Sequence, residues 1–424
     1  MGARRRRAAF LLCLGVWPGL ASAQALQERR FEDRQRDPDL AVVERPHPEL
    51  DPLGVPVGTL ILESSADLGL QYDSNIYALD RNAVSDAIVT AGVNLSARSD
   101  WSRNALNASA SLFRRQYLQE GSESTTDYRL SAAGRLDLER GYLEVSVDTA
   151  KLTQSRREVD APGAADRPIR FHQTGATVIG EVPFGKVTAR AGFDWHRYRF
   201  DDARTIGGAP LPQDYRNRDV LSALGRVDLA LSPQLALYVS ASVNSRSYDD
   251  SVPTSLDRDS SGFTLEAGAD FEITRQLRGH VQAGYLQQEG PYNSWAAKGL
   301  SGRGKIEWFL KPVLTVTVEG GRRIEDSAQN DAPAYLRTDF NARADYELLR
   351  SVIVSAEAGY SWDKFQGTGE RARRPLYAAS VRYRMGRNLV YDLRFEHLAQ
   401  HSSGSDRLRD FRDDRLMLNL RFQR

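Results

Sequence analysis

The chain has 424 residues, and its 57 basic and 56 acidic side chains give a formal net charge of +1 at pH 7. Such a balance provides no excess of basic charge for binding nucleic acid. The one cysteine excludes a disulfide framework and a cysteine-based metal site.

The N-terminus has the pattern of a secretory signal peptide. Residues 4–7 are arginines, residues 8–20 are mainly apolar, and residues 21–23 read Ala-Ser-Ala, a small-residue cleavage site. The sequence therefore predicts a signal peptide over 1–23 and a mature start near Gln24. Cys13 lies within this segment, and Leu12 before it disfavours a lipoprotein. Removal takes away four arginines and no acids, which leaves 53 basic against 56 acidic residues and a charge of −3.

Residues 24–58 form a separate zone that is charged and rich in proline. This composition offers too few apolar side chains to build a core. We expect a flexible periplasmic extension, acting as a spacer rather than as a docking arm.

From residue 59 onward the chain alternates between apolar and polar side chains. In "GFTLEAGADFEI", residues 262–273, every second side chain is apolar and the others are mostly polar. Successive side chains of a strand point to opposite faces, so the pattern predicts strands with one apolar face. These segments run to ten or more residues, longer than the usual strand of a soluble sandwich and long enough to cross a bilayer at a tilt. No later run approaches the roughly 18 apolar residues of a transmembrane helix.

The predicted connections alternate between short and long. Nine long and eight short connections predict eighteen strands, and hence an all-β, antiparallel, up-and-down transmembrane β-barrel over 59–424 with both chain ends in the periplasm. Short turns are predicted at 99–104, 139–141, 183–186, 232–234, 274–276, 310–312, 349–351 and 386–388, and long external loops at 74–85, 118–126, 155–167, 200–216, 249–260, 288–294, 325–335, 365–373 and 399–410.

Aromatic side chains border many of these connections, as in the interfacial girdles of barrels. Those beside short turns are Trp101, Trp308 and Phe309, and those beside long loops are Trp195, Tyr198, Tyr360 and Trp362.

The first strand and its following turn carry a recognisable signature. Tyr72, Asp73, Asn75, Ile76 and Tyr77 form a Y-D-x-N-aliphatic-aromatic motif that follows a V-P-V-G lead-in at 55–58. In this motif, and in its layout over 59–424, the chain resembles the putative β-barrel porin 2 family. The resemblance implies an outer-membrane barrel associated with exopolysaccharide synthesis and export.

Three functions are weighed. The first is a channel or export-assembly component for exopolysaccharide secretion. The second is a general or sugar-type diffusion porin. An external loop folded into the lumen would favour this function, and 200–216 is the only candidate of useful length. The third, an outer-membrane hydrolase, is disfavoured, and we expect no enzyme and no cofactor. Expected partners are outer-membrane lipid and lipopolysaccharide, the barrel-assembly machinery, the polysaccharide and periplasmic export components.

The predicted inward face carries both charge signs, which argues against a strongly selective pore, since charge-ring selectivity needs one sign to dominate. The last strand presents a lipid-facing stripe that also serves as assembly signal, Leu416, Leu418, Leu420 and Phe422. The predicted lumen-lining charges are Arg129, Arg135, Asp137, Arg190, Asp194, Arg226, Asp228, Glu266, Asp270, Arg303, Glu307, Arg343, Asp345, Arg382, Arg384, Asp392 and Arg394.

Candidate chemistry in the loops and histidines is weak. Asp73 and Asn75 lack the glycine and closing glutamate of a calcium loop, so we interpret them as turn-forming residues. His172 and His196 fall on neighbouring predicted strands, but neither comes with a serine and carboxylate at matching height, as a nucleophile would require. No closely spaced histidines predict a metal site.

Overall fold

The computed structural model describes residues 40–249, 257–404 and 408–424, so the predicted signal peptide lies outside the described residues. Eighteen long antiparallel strands, each paired with its neighbours in sequence, form one sheet. They are β1 (Leu60–Asp73), β2 (Asp86–Ser99), β3 (Ala105–Tyr117), β4 (Thr125–Asp137), β5 (Tyr142–Thr153), β6 (Arg170–Phe184), β7 (Val187–Phe200), β8 (Arg218–Ser232), β9 (Leu235–Tyr248), β10 (Ser260–Thr274), β11 (Leu277–Glu289), β12 (Ala296–Lys311), β13 (Leu314–Asp326), β14 (Ala334–Leu349), β15 (Val352–Phe365), β16 (Arg371–Met385), β17 (Leu389–Ser403) and β18 (Phe411–Gln423).

The sheet closes because β1 also pairs with β18, in a register that runs from Ser65 opposite Gln423 to Asp73 opposite Arg415. The part of β1 that β18 does not reach is covered by a three-residue strand, Val55–Val57, which pairs with Leu60–Leu62. No edge strand is therefore left open, as lipid requires. The predicted eighteen-strand antiparallel barrel is confirmed.

Short and long connections alternate as the sequence predicted. The short ones fall at 100–104, 138–141, 185–186, 233–234, 275–276, 312–313, 350–351 and 386–388, at what we call the short-turn end. The long ones, at the long-loop end, comprise 74–85, 118–124, 154–169, 201–217, 290–295, 327–333 and 366–370 within the described residues, and two more, 249–259 and 404–410, are described in part.

The two faces of the sheet differ as a membrane barrel demands. Leu68 and Leu70 of β1 are each 54% exposed, whereas Asp67 beside them is 3% exposed. Exposed apolar side chains recur on one face of the other strands, including Leu416, Leu418 and Phe422 of β18, and Leu420 is half-buried on the same face. An apolar outer face and a polar inner face are the alternation of transmembrane barrels.

Two of the seven predicted girdle aromatics face the lumen instead. Trp308 is exposed, but its neighbour Phe309 is buried beneath the guanidinium of Arg278. Tyr198 stacks on His196 on the inner face. Strand alternation forbids adjacent side chains such as residues 308 and 309 from sharing a face.

The described helices are single 3-10 turns of three residues each, and none is long and apolar enough to cross a membrane.

Candidate functional site

The inward face of β6 to β10 carries a continuous ion network. Arg190 pairs with Glu181 of β6 and lies 3.7 Å from Asp228 of β8. Arg226 joins Asp228, at 2.6 Å, to Asp270 of β10, at 2.7 Å. These charges therefore satisfy one another across neighbouring strands, and the wall shows no large excess of one sign.

The network continues through neutral groups. Tyr238 of β9 donates to Gln282 of β11 at 2.8 Å, and Gln282 donates to Glu266 of β10 at 2.6 Å. Ser301 of β12 donates to the other oxygen of Glu266. Hydroxyl, amide and carboxylate groups thus alternate along the wall, and they satisfy one another while buried.

Most of the predicted lumen-lining charges take part in such contacts. Arg303 lies directly opposite Gln282, whereas Arg129, on the same face as buried Asp127, is exposed and makes no ion pair within the described chain. That these side chains line a transport path stays a prediction. Those with an ion pair or hydrogen bond include Arg135, Asp137, Arg190, Asp194, Arg226, Asp228, Glu266, Asp270, Glu307, Arg343, Asp345, Arg382, Arg384, Asp392 and Arg394.

A segment at the N-terminal side of the barrel, residues 40–54, lies within the short-turn end of the lumen. Its start is anchored where the backbone amide of Val42 donates to Thr315 Oγ1 of β13 at 3.1 Å. Glu44 pairs with Arg278 of β11 at 3.2 Å. The segment leads into the short strand beside β1, and β11 stands eight places from β1 in the ring of eighteen. It therefore extends along the short-turn end from β11 and β13 to β1.

Further polar contacts hold this N-terminal segment in place. Arg45 pairs with Glu347 of β14 at 2.9 Å, and Asp51 pairs with Arg384 of β16 at 3.5 Å. Val42 is fully buried. Residues 40–54 belong to the extension that composition predicted to be free, and the structure differs because its charges meet complementary charges on distant strands. Residues 24–39 lie outside the described residues.

The long-loop end is crossed by the loop between β5 and β6, residues 154–169, which we call the crossing loop. Val159 at its middle is buried against Tyr335 of β14, Phe365 of β15, Ala372 of β16 and Leu408. Strand β14 stands nine places from β5 in the ring, so this contact reaches the opposite wall.

Buried arginines fasten the crossing loop. Arg156 makes a bidentate pair with Glu123, at 2.7 and 3.0 Å. Arg157 pairs with Glu396 of β17 at 2.7 Å and Asp413 of β18 at 3.1 Å. Removal of one partner from such a buried pair leaves a charge without compensation.

The inward loop is thus not the one that sequence length favoured. The end of loop 201–217 enters the lumen, where Tyr215 donates to the carbonyl of Ala328 and Arg216 to Gln154. Residues 203–204 and 210–211 pair with each other as a small hairpin, which is bridged to the crossing loop through Thr205 and Ala165. The available signal in the sequence was an apolar residue, Val159, among the charged residues of the loop. This signal indicates burial, but it does not indicate which strands the residue contacts.

Ionisation at the long-loop end is perturbed at several positions. Burial, reinforced by Asp160, raises the pKa of Glu158 to about 7. Burial, followed by the hydrogen bond to Glu120, raises the pKa of Tyr77 to about 12. Burial, with Arg156 nearby, lowers the pKa of Arg409 to about 10. Of these groups, Glu158 is the one that titrates near neutral pH.

The motif residues build the turn that leaves β1. Asp73 accepts from the amide of Asn75 at 3.0 Å and pairs with Arg415 at 2.8 Å. The side chain of Asn75 donates to the carbonyls of Leu79 and Arg412, at 2.8 and 2.9 Å. Tyr72 faces outward, Ile76 is buried, and Tyr77 donates to Glu120 at 2.9 Å. The contacts are those of a turn, formed largely by side chains that replace backbone partners.

The two histidines weighed for catalysis do not meet. His196 faces the lumen with its ring nitrogens beside Asp194, at 2.9 Å, and Asp148, at 3.4 Å. His172 lies opposite Arg199, on the other face of the wall. The partners of His196 are two carboxylates, with no serine hydroxyl between them. No cluster of three or more metal-binding side chains occurs among residues 40–249, 257–404 and 408–424.

Comparison with known proteins gives one family match and several similar solved structures. The model of the family described as "Putative beta-barrel porin 2" matches residues 47–424. No curated protein matches the sequence significantly. Among solved structures, OccK5 (OpdH) of Pseudomonas aeruginosa is 13% identical, with 86% of this chain and 98% of that chain covered and a TM-score of 0.44. OccAB3 of Acinetobacter baumannii is 9% identical, with 87% and 100% covered and a TM-score of 0.47. The siderophore receptor PirA of Acinetobacter baumannii is 7% identical, with 85% and 80% covered and a TM-score of 0.48.

Proposed function

This chain belongs to the putative beta-barrel porin 2 family, of porin-like outer-membrane barrels, and we propose that it serves exopolysaccharide secretion as a gated conduit or as part of the export assembly. The observation that carries the proposal is that segments of the chain itself occupy both ends of the lumen. The N-terminal segment lies within the short-turn end, and the crossing loop reaches across the long-loop end.

The N-terminal segment is suited to move. Its contacts include ion pairs with partly exposed members, Arg45 with Glu347 and Glu44 with Arg278, and exposed pairs of this kind contribute little stability. It also precedes the barrel, where a periplasmic partner could pull on residues 24–39. A conduit that opens only when its export partners engage would keep the outer membrane closed between secretion events.

The wall suits a sugar polymer. Its network is built from hydroxyl, amide, carboxylate and guanidinium groups that are buried against one another, while Glu181 and Asp270 at its margins keep part of their surface in the lumen. A polymer that is hydrated and carries many hydroxyl groups can exchange water for these partners one at a time. Because the charges on the wall are paired with one another, the wall does not hold back a polymer whose charges all have one sign.

A disulfide lock tests the gate. The predicted mature chain has no cysteine, so Val42→Cys with Thr315→Cys introduces one possible pair at the contact between the N-terminal segment and β13. We expect oxidised cells to lose surface polymer and to recover it when a reductant opens the bond. Each single cysteine variant is the control, and it should secrete polymer under both conditions. Normal secretion from the oxidised double variant would contradict a moving segment.

Deletion of the gene tests the function itself. Loss of surface polymer with unchanged uptake of small solutes is the expected result. The second candidate is a general or sugar-type diffusion porin, which the porin description of the family favours. In that case deletion would leave polymer unchanged and reduce solute uptake, and the purified barrel would show a stable, large conductance in planar bilayers.

A further inference from the structure

The outward face of β15 to β18 carries a group of basic side chains at the long-loop end. Its position follows from alternation, because the neighbours in sequence face the lumen and are buried: Asp363, Phe365, Ala372, Gln400 and Asp413. The side chains between and beside them therefore face outward, and all are exposed. We call them the outer basic patch: Lys364, Arg371, Arg373, His401 and Arg412.

The register brings basic side chains face to face. Lys364 lies directly opposite Arg371, and Arg373 lies directly opposite His401. Within the described chain, no side chain of the outer basic patch makes an ion pair or a side-chain hydrogen bond, and Asp414 on the same face is held by His397 at 2.7 Å. Like charges in direct cross-strand positions, such as Lys364 and Arg371, destabilise a sheet. An anion bound between the strands would remove this repulsion.

Aromatic rings beside the patch fix its depth in the membrane. Trp362 lies directly opposite Arg373 and is about half exposed on the outer face. Its ring lies 4.4 Å from that of Tyr360. Tyr377, also exposed, stacks on His397 of the next strand. Because such rings settle at the boundary between hydrocarbon and headgroups, the patch lies at headgroup level.

The spread of the cations indicates the kind of headgroup. Neighbouring strands are spaced by about 4.8 Å, so a patch across four strands extends over roughly 15 Å. A headgroup with one phosphate would engage only part of this width, whereas one with two separate phosphates could use all of it. Guanidinium and ammonium groups are the usual partners of phosphate in proteins.

We propose that the outer basic patch binds the phosphates of a lipid A-type glycolipid in the leaflet at the long-loop end. Arg371 and Arg373 of β16 stand at the centre, with Lys364 on one side and Arg412 on the other, each able to donate to phosphate oxygens. The lipid chains would run along the apolar outer face below Trp362 and Tyr377. The site belongs to the outer wall, so it is separate from the lumen and does not depend on what the lumen carries.

Native mass spectrometry of the full barrel in detergent tests this site, with diphosphoryl lipid A as the probe. The test variant combines Lys364→Gln, Arg371→Gln, Arg373→Gln and Arg412→Gln. A cation near a membrane surface changes affinity roughly fivefold, so we expect the four together to weaken binding by roughly 100-fold or more. Lipid A freed of its phosphates should bind the unmodified barrel as weakly as the intact lipid binds the variant.

A matched control removes four positive charges from the short-turn end. The control residues, Arg140, Lys186, Arg275 and Lys311, are exposed. They lie at the short-turn end, on or beside strands other than β15 to β18. This variant should bind diphosphoryl lipid A within about twofold of the unmodified barrel, since surface charges act mainly within a Debye length. Should the fourfold variant fail to fold, Arg371→Gln and Arg373→Gln alone should each weaken binding by roughly fivefold.

Three results would overturn the proposal. One is equal affinity of the patch variant and the unmodified barrel for diphosphoryl lipid A. Another is equally tight binding of the dephosphorylated lipid, which would assign the interaction to the acyl chains. The third is binding of phosphatidylglycerol as tight as that of lipid A, with the same loss in the patch variant, which would assign the patch to ordinary anionic phospholipid.

Discussion

Leu418→Arg should destabilise the barrel strongly, whereas Asn419→Arg should not. Leu418 lies in the middle of β18, about half exposed on the outer face, and is directly opposite Leu70 of β1 and Leu393 of β17. An arginine there would place a charge among apolar side chains at the depth of the hydrocarbon. The cost of arginine on the lipid face near the bilayer midplane is about 2–4 kcal/mol, or about 30- to 700-fold in the folding equilibrium constant.

The neighbouring position provides the control. Asn419 faces the lumen and donates to Asp67 at 3.1 Å, and Asp67 also accepts from Arg421 at 2.7 Å. An arginine at 419 would present its guanidinium to the same carboxylate. We therefore expect a change in unfolding free energy within about 1 kcal/mol, the usual range for a partly exposed ion pair.

The two variants should be refolded into lipid vesicles and titrated with urea, with the heat-modifiable gel shift as the measure of folded protein. The expected result is a lower urea midpoint and a smaller folded fraction for Leu418→Arg alone. Equal losses in the two variants would mean that the assignment of inner and outer faces on β18 is wrong.

Three further changes test the orientation, the crossing loop and the β1 turn. An epitope inserted at Gly207-Gly208 should be detected on intact cells and one at Gly185 should not, and the reverse labelling would invert the barrel. The pKa of Glu158 is raised to about 7 while the crossing loop is packed against the barrel. Its contribution to the stability of that packing is therefore fully present below the ordinary pKa of a glutamate and is lost as pH rises through about 7. Glu158→Gln should therefore make protease protection of residues 154–169 equal at pH 6 and pH 8, and a persistent pH difference would assign the effect to another group. Asn75→Ala should lower the unfolding free energy by about 1–3 kcal/mol, because the carbonyls and amide that its side chain bonds lie in a buried turn, and an unchanged urea midpoint would contradict that role.

The strands and turns could be read from the sequence because lipid enforces a strict rule. Loop 74–85 was predicted with the bounds that the structure has, and the turn predicted at 99–104 is followed by β3 at Ala105. Every outward position must be apolar across the membrane, so the alternation persists for ten or more residues and ends where the chain leaves the bilayer. The same rule, applied strictly, also separates Trp308 from Phe309.

Contacts across the lumen could not be read in this way. Val159 reaches Tyr335 and Phe365, which stand about half a ring away, and nothing local in residues 154–169 indicates that distance. Glu44 and Arg45 were read as part of a free charged tail, because their partners, Arg278 and Glu347, lie more than 200 residues further along the chain.

Residues 371–374 illustrate, within one strand, what alternation predicts and which contacts it does not predict. The three arginines of this stretch divide by alternation, with Arg371 and Arg373 outward and Arg374 inward, where it donates to the carbonyl of Arg157. The inward arginine helps to hold the crossing loop, while the outward pair faces lipid headgroups without a partner of its own. One sequence element thus contributes to the closure of the lumen and to the outer wall at once. Substitutions at Arg374 should therefore affect the crossing loop, and substitutions at Arg373 should affect lipid binding without altering that loop.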